Sequence, residues 1–187
     1  MADPIENIEG YTYADYANWP EEFRCELVDG IIYMMAPPTI WHQEISIRLA
    51  AQLLSFLDGK TCRVIASPVG VRLIPKADDS DQTIFEPDII VVCDSEKLSD
   101  GKTCRGAPDF LIEIISPSTK SHDLFTKKPR YAKAGVKECW FIDHEIVSKC
   151  ILNNGSHTET TIHYLFDREP IPVDTLPGCR LTIPIIN

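Results

Sequence analysis

Asp88 and Glu113 are the two residues of this 187-residue chain most in need of a chemical explanation, because each is an acid in apolar surroundings. Glu113 stands in "DFLIEIIS", residues 109–116, with Leu111 and Ile112 before it and Ile114 and Ile115 after it. Side chains alternate across a strand, so Leu111, Glu113 and Ile115 share one face and Phe110, Ile112 and Ile114 the other. A carboxylate buried there needs a cation, a hydrogen-bond network or a proton. Asp88 opens the apolar run Ile89-Ile90-Val91-Val92, 25 residues upstream of Glu113. If the two strands are neighbours, the carboxylates meet, and a hard divalent ion between them would offset their repulsion. Mg²⁺ takes one or two carboxylates plus waters. The same residues also allow a plainer arrangement, with Asp88 capping a turn and Glu113 paired with a nearby Lys or Arg.

A cation is at hand downstream. Asp123, Lys127 and Tyr131 are spaced i, i+4, i+8 and would line one helix face. Lys127 could stabilise a phosphate; as an ordinary Asp–Lys helix pair it would contribute only ~0.3–0.5 kcal/mol. Pro129 complicates this helix. Starting from Ser121 or Asp123, its ring would clash with the Phe125 carbonyl, so a start near Thr126 is expected, with Pro129 in the first turn. Asp123 would then lie outside the helix, and Lys128 becomes the alternative cation. Ser116, Ser118 and Thr119 follow the strand and could donate to a phosphate or cap the helix. Asp109 shares Glu113's face but lies about 13 Å along the strand, and reads as a strand-entry residue. Glu26 sits in an early hairpin, and His42, at the start of the first long helix, reads on residue type alone as structural.

The elements that must position these groups follow from periodicity and turn residues. Residues 11–23 are predicted as a helical lead-in. Residues 25–38 read as a hairpin around Asp29-Gly30, stopped by Pro37-Pro38. Ile45, Leu49, Leu53 and Phe56 recur at helical spacing over residues 41–57, with Asp58-Gly59 as the stop. One strand kinked at Pro68 is expected over residues 62–75, then an acidic loop, a buried strand at 85–94 and a connection to the Glu113 strand. A helix over 121–134 ends at Gly135, and "ECWFID" is strand-like, so residues 110–143 form a βαβ unit with parallel strands. Trp140 and Phe141 are expected in the core. Strand candidates at 147–152 and 159–166 precede a Pro-rich tail. The expected class is α/β: one domain over residues 1–187, with residues 1–20 as lead-in and 147–187 as C-terminal strands, and a central mixed sheet flanked by helices.

Composition narrows the function classes. With 44% hydrophobic and 25% charged residues the chain resembles an ordinary globular protein. The acidic N-terminus has no apolar run, and no stretch approaches the ~20 apolar residues of a membrane span, so neither a signal peptide nor a membrane partner is expected. The seven cysteines are odd in number and lack CxxC spacing; neither a disulfide framework nor a zinc site is expected, and a cytoplasmic location fits. A net charge of −10 argues against whole-molecule steering to nucleic acid. Residues 120–137 nevertheless hold six Lys and Arg against one Asp, a local +5 that reads as a solvated helix face or as a basic contact surface.

"EPD" at 86–88 and "EII" at 113–115 resemble a PD-(D/E)xK nuclease signature with its third element changed: Ile115 stands where the pattern has lysine. The ordered set "CELVDGIIYMM", "PPTIWH", "EPDIIVVCD" and "GAPDFLIEIISPSTKSHDLFTKKPRYAKAGVKECWFID" resembles the Uma-two family of restriction-endonuclease-like proteins over roughly residues 20–145. That resemblance implies a restriction-endonuclease-like fold and a Mg²⁺-dependent endonuclease acting on DNA, with Mn²⁺ as a substitute ion. It assigns catalysis to Asp88, Glu113 and Lys127, and the metal to Asp88, Glu113 and the Ile114 carbonyl, with Glu26 as an additional ligand. The metal would polarise the scissile phosphate and activate water. His42, Ser116, Ser118, Lys128 and Tyr131 would support the site or contact substrate. A homodimer is expected by analogy with restriction enzymes. The alternative is an inactive relative that serves as a nucleic-acid-binding or protein-interaction module.

Overall fold

The computed structural model describes residues 10–20, 22–116, 119–153 and 156–186. The helical lead-in shrinks to α1 (Tyr13–Tyr16). β1 (Cys25–Val28) and β2 (Ile31–Met34) form the expected hairpin, pairing Val28 with Ile31. Asp29 and Gly30, at φ 51° and 81°, make the tight two-residue turn. A Cβ at Gly30 would lie 2.9 Å from the Gly10 Cα, so glycine is required there on space as well as on φ. The first long helix is α2 (Ile40–Leu57); the Thr39 hydroxyl accepts from the His42 N–H at its start.

The single kinked strand expected over residues 62–75 is two strands. β3 (Arg63–Ala66) joins the main sheet, whereas β4 (Gly70–Arg72) leaves it and pairs in parallel with β6 (Thr103–Arg105). Pro68, which follows a cis peptide bond between them, supplies no N–H to a continuing ladder. β5 (Ile89–Val92), β7 (Phe110–Ile114) and β8 (Glu138–Ile142) are the buried strands. Between β7 and β8 run α3 (Lys120–His122), a π-helical turn (Asp123–Lys127) and α4 (Lys128–Ala134), closed by Gly135 at φ 93°. β9 (Ile146–Asn153) and β10 (Ser156–Tyr164) form a hairpin, and β11 (Ile171–Pro172) and β12 (Arg180–Leu181) a short terminal pair.

The six-stranded sheet has the order β10-β9-β8-β7-β5-β3; β7 and β8 are parallel, as the βαβ reading requires, and the other pairs antiparallel. Alternation along the strands sends residues to two cores. On one face Ile45, Leu49, Leu53 and Leu57 of α2 pack on Ile89, Val91, Phe110, Ile112 and Trp140. On the other, Tyr131 and Val136 pack on Ile90, Val92, Leu111, Cys139 and Phe141. Burial of each such side chain contributes ~1.5–3 kcal/mol before entropy is counted. No helix among the described residues is long and apolar enough to cross a membrane.

One cysteine expectation fails. Cys62 and Cys93 are disulfide-bonded, with Cα atoms 3.9 Å apart. The pairing of Arg63 with Val92 across β3 and β5 places these cysteines at the next position of the same ladder, a closeness that a 31-residue separation does not reveal. Cys25, Cys104, Cys139, Cys150 and Cys179 are buried and form no disulfide among the described residues.

Candidate active site

The β5–β7 register decides the geometry. Ile89 pairs with Ile112, so the ladder's continuation sets Asp88 opposite Glu113. Asp88 immediately precedes β5, and its Oδ2 accepts the Ile114 N–H at 2.7 Å. Its Oδ1 lies 3.0 Å from His42 Nε2, in the first turn of α2. Asp88 is thus tied both to the strand carrying Glu113 and to the helix on the opposite layer. His42 Nδ1 is buried and has no hydrogen-bond partner among the described residues.

Glu113 is only 3% exposed. It faces α4 together with Leu111 and Ile115, as alternation requires. Lys127 Nζ lies 3.2 Å from its Oε1, and the Tyr131 hydroxyl donates to the same oxygen. Lys127 also reaches Glu26 Oε1 at 2.8 Å and Asp123 Oδ1 at 3.4 Å. One buried ammonium therefore serves three buried carboxylates from three separate elements. Glu26 is engaged at both oxygens: the Glu86 N–H donates to Oε1 at 2.9 Å, and His122 Nε2 lies 3.1 Å from Oε2.

Pro129 does not start the helix afresh near Thr126. The chain is helical from Lys120, and the turn at residues 123–127 widens so that the Lys128 N–H bonds the Asp123 carbonyl, five residues back. Pro129 falls in the first turn of α4, where its missing N–H removes no bond. Asp123 stays inside the helical run and keeps its contact with Lys127. The local sequence Asp-Leu-Phe-Thr-Lys-Lys-Pro thus creates a single π turn, a feature enriched at functional sites.

The charges are unequal in consequence. Burial pushes the Glu26 carboxyl up, but Lys127, His122 and the Glu86 N–H outweigh burial and hold it below the usual carboxylate range. Burial raises Glu113 well above that range; Lys127 opposes this, while Asp123, Asp88 and Glu26 reinforce it. Burial would lower Lys127, but Glu113, Glu26 and Asp123 hold it charged, well above a normal lysine. Burial, with Glu113 beside it, raises the Tyr131 phenol, which stays protonated as a donor.

No three His, Cys, Asp or Glu side chains among the described residues form a ready-made metal cage. Asp88 and Glu113 nonetheless fit a hard divalent cation, which needs only one or two carboxylates. The two residues stand opposite each other across the β5–β7 ladder, and burial, reinforced by Asp123, Asp88 and Glu26, makes a charged Glu113 costly in a way that an added cation would relieve.

Other expected residues lie elsewhere. Lys128 is turned away, its Nζ 3.3 Å from the Thr160 hydroxyl of β10, so it is not an alternative to Lys127. Ser116 forms a local turn with Thr119, their hydroxyls 3.1 Å apart. Ser118 lies outside the described residues. Asp109 accepts the Cys93 N–H at 2.8 Å and pairs with Lys137 at 2.7 Å, in keeping with strand entry. Four of the six cations of the +5 segment are matched by acids: Lys127 is buried among its carboxylates, Lys120 pairs with Asp143, Arg130 with Asp29 and Lys137 with Asp109. Two contributors were missed. His122 carried no spacing signal. Glu86 stood in view two residues before Asp88; its side chain accepts from Tyr16 and Arg24, and its amide orients Glu26.

A solved structure, the crystal structure of "a putative nuclease belonging to DUF820" from Anabaena variabilis, superposes with a TM-score of 0.72 over 92% of this chain and 95% of that one, at 20% identity. This likeness shows the fold, a mixed α/β architecture around a central six-stranded sheet. An uncharacterised protein of Synechocystis sp. is 31% identical over 122 residues, 63% of this chain; the match spans 60% of that relative's length. A family model described as "Putative restriction endonuclease" matches residues 13–184, nearly the whole chain, and on that ground the protein belongs to the Uma2 family.

Proposed function

We propose that this protein is a divalent-metal-dependent endonuclease that hydrolyses phosphodiester bonds of DNA, with Mg²⁺ as its ion and Mn²⁺ as a substitute. The observation that carries this reading is the convergence of Lys127 on Glu113, directly across the ladder from Asp88. Ile115, buried in the core, leaves the usual lysine position empty of charge, and a lysine from the following helix supplies an ammonium to the same carboxylate. Asp88, Glu113 and the Ile114 carbonyl would hold the cation, which would contribute Lewis acidity toward the phosphate. His42 and the Ile114 N–H orient Asp88. Glu26, whose Oε1 lies 2.8 Å from Lys127 Nζ, holds that ammonium in place. Lys127 and Tyr131 present donors where negative charge develops.

The test is supercoiled-plasmid nicking in Mg²⁺ or Mn²⁺, wild type against Glu113→Ala. Nicking by the wild type alone supports the reading; equal nicking by both proteins removes this site as its source. One observation favours the second reading, an inactive nuclease-fold module: Lys127 sits closer to Glu26, at 2.8 Å, than to Glu113, at 3.2 Å. A calorimetric titration showing no Mg²⁺ or Mn²⁺ binding would select it.

A further inference from the structure

Helix α2 is apolar on two opposite sides. One stripe, Ile45, Leu49, Leu53 and Leu57, is buried against the sheet. The other is Ile40, Ile47 and Leu54, exposed at 82%, 70% and 62%. Residues seven apart drift by only ~20° on a helix, so these three form one seam about 21 Å long. Ile47 is about 200° from Ile45 and from Leu49, which turns the seam away from the core. A helix in contact with its sheet on one side needs no second apolar stripe for folding.

We propose that this seam is the contact with a second copy of the same chain, two α2 helices packing antiparallel about a two-fold axis at Ile47. The spacing is self-complementary. Ile40 and Leu54 are each seven residues from Ile47, so the axis sets Ile40 of one copy against Leu54 of the other and Ile47 against itself. Charge agrees. Two copies each carrying −10 repel, and a stable contact needs a stretch free of that excess. Within Ile40–Leu57 the charged residues are one acid, Glu44, and one base, Arg48, 3.6 Å apart beside the seam. The two-fold brings Glu44 of one copy within two residues, about 3 Å of rise, of Arg48 of the other. Two such cross-pairs flank the apolar centre, the arrangement that isologous helix contacts use.

Sedimentation velocity of the full chain at low salt tests this without DNA or metal, so its outcome is separate from that of the nuclease reading. The wild type is expected to sediment as a dimer. Ile47→Asp is expected to weaken association about a hundredfold or more; because Ile47 is exposed, its circular dichroism should match wild type, while its melting should fall to that of the dissociated wild type. Glu44→Arg and Arg48→Glu should each weaken the dimer about tenfold, and the double reversal should restore it. A monomeric wild type, a dimer indifferent to Ile47→Asp, or a double reversal weaker than either single variant would overturn the proposal. So would dissociation by Ile162→Asp, on the exposed edge strand β10, in place of Ile47→Asp.

Discussion

Lys127 reaches Glu113 at 3.2 Å from a helix that begins only after β7 has ended, while the strand itself carries Ile115 two residues beyond the glutamate. The π turn makes this reach possible, because it lets the helix pass Pro129 without releasing Asp123 or rotating Lys127 outward. Lys127→Met should therefore reduce nicking by at least ~10²-fold, the scale of one lost charge-stabilising donor. Lys128→Ala, whose side chain points to Thr160, should change it less than about twofold. Matching losses from both variants in the plasmid assay would contradict this division.

Glu26 and Glu113 should differ in what they do for stability. Glu26 has a depressed folded pKa, so its contribution is present above its unfolded value and disappears as pH falls through the folded one. Glu26→Gln should destabilise the fold by ~3 kcal/mol at pH 7, because it strips a buried partner from Lys127. Glu113 has a raised folded pKa, so the fold favours its protonated form; its contribution is complete below the unfolded value and is lost as pH rises through the folded one. Glu113→Gln should be neutral or stabilising by ~1 kcal/mol at pH 7 while abolishing nicking. Urea denaturation at pH 7 measures both, and a destabilising Glu113→Gln would disprove the assignment.

His42 holds Asp88 Oδ1 at 3.0 Å from the first turn of α2. Groups that orient a metal-binding carboxylate typically contribute 10–100-fold in metal affinity or activity. His42→Ala should shift the Mg²⁺ concentration for half-maximal nicking upward by about tenfold, and His42→Gln, which keeps a donor, should recover part of that. An unchanged metal profile in His42→Ala would make the contact incidental.

Asp109 is expected to stabilise without taking part in chemistry. Burial raises its pKa, but the Lys137 hydrogen bond and the Cys93 N–H outweigh it and hold the carboxyl below its ordinary value. Its contribution is present above the unfolded pKa and fades as pH falls through the folded one. Asp109→Asn should cost ~1 kcal/mol at pH 7, a modest figure because Lys137 is 65% exposed, and the cost should vanish once the pH is below the folded pKa. Nicking normalised to folded protein should be unaffected; a hundredfold loss would instead make Asp109 a catalytic group.

The Cys62–Cys93 bridge closes a 31-residue span from β3 to β5, at the opposite end of β5 from Asp88. Loop-closure entropy for a span of that length puts its contribution at up to ~3–4 kcal/mol. Dithiothreitol, or Cys62→Ser, should lower the urea midpoint accordingly; an unchanged midpoint would mean that the bridge adds nothing.

The sequence by itself determined the local elements and the pair of anomalous acids. The Asp29-Gly30 turn, the α2 periodicity, the Gly135 stop and the parallel β7 and β8 were legible because turn chemistry and hydrophobic period are written in neighbouring residues. Asp88 and Glu113 were legible because a carboxylate in a buried strand always needs a partner. Which partner each took was decided only in three dimensions. Lys127 rather than Lys128, Glu26 and His122 beside it, His42 on Asp88, and Cys62 bonded to Cys93 all depend on strand register and on one π turn. The break of residues 62–75 into two strands of different sheets and the pairing of four of the six cations of the basic segment with acids were likewise beyond local patterns. Register and long-range pairing come from the packing of both cores at once, and a contact between residues dozens of positions apart leaves no mark on the spacing of either.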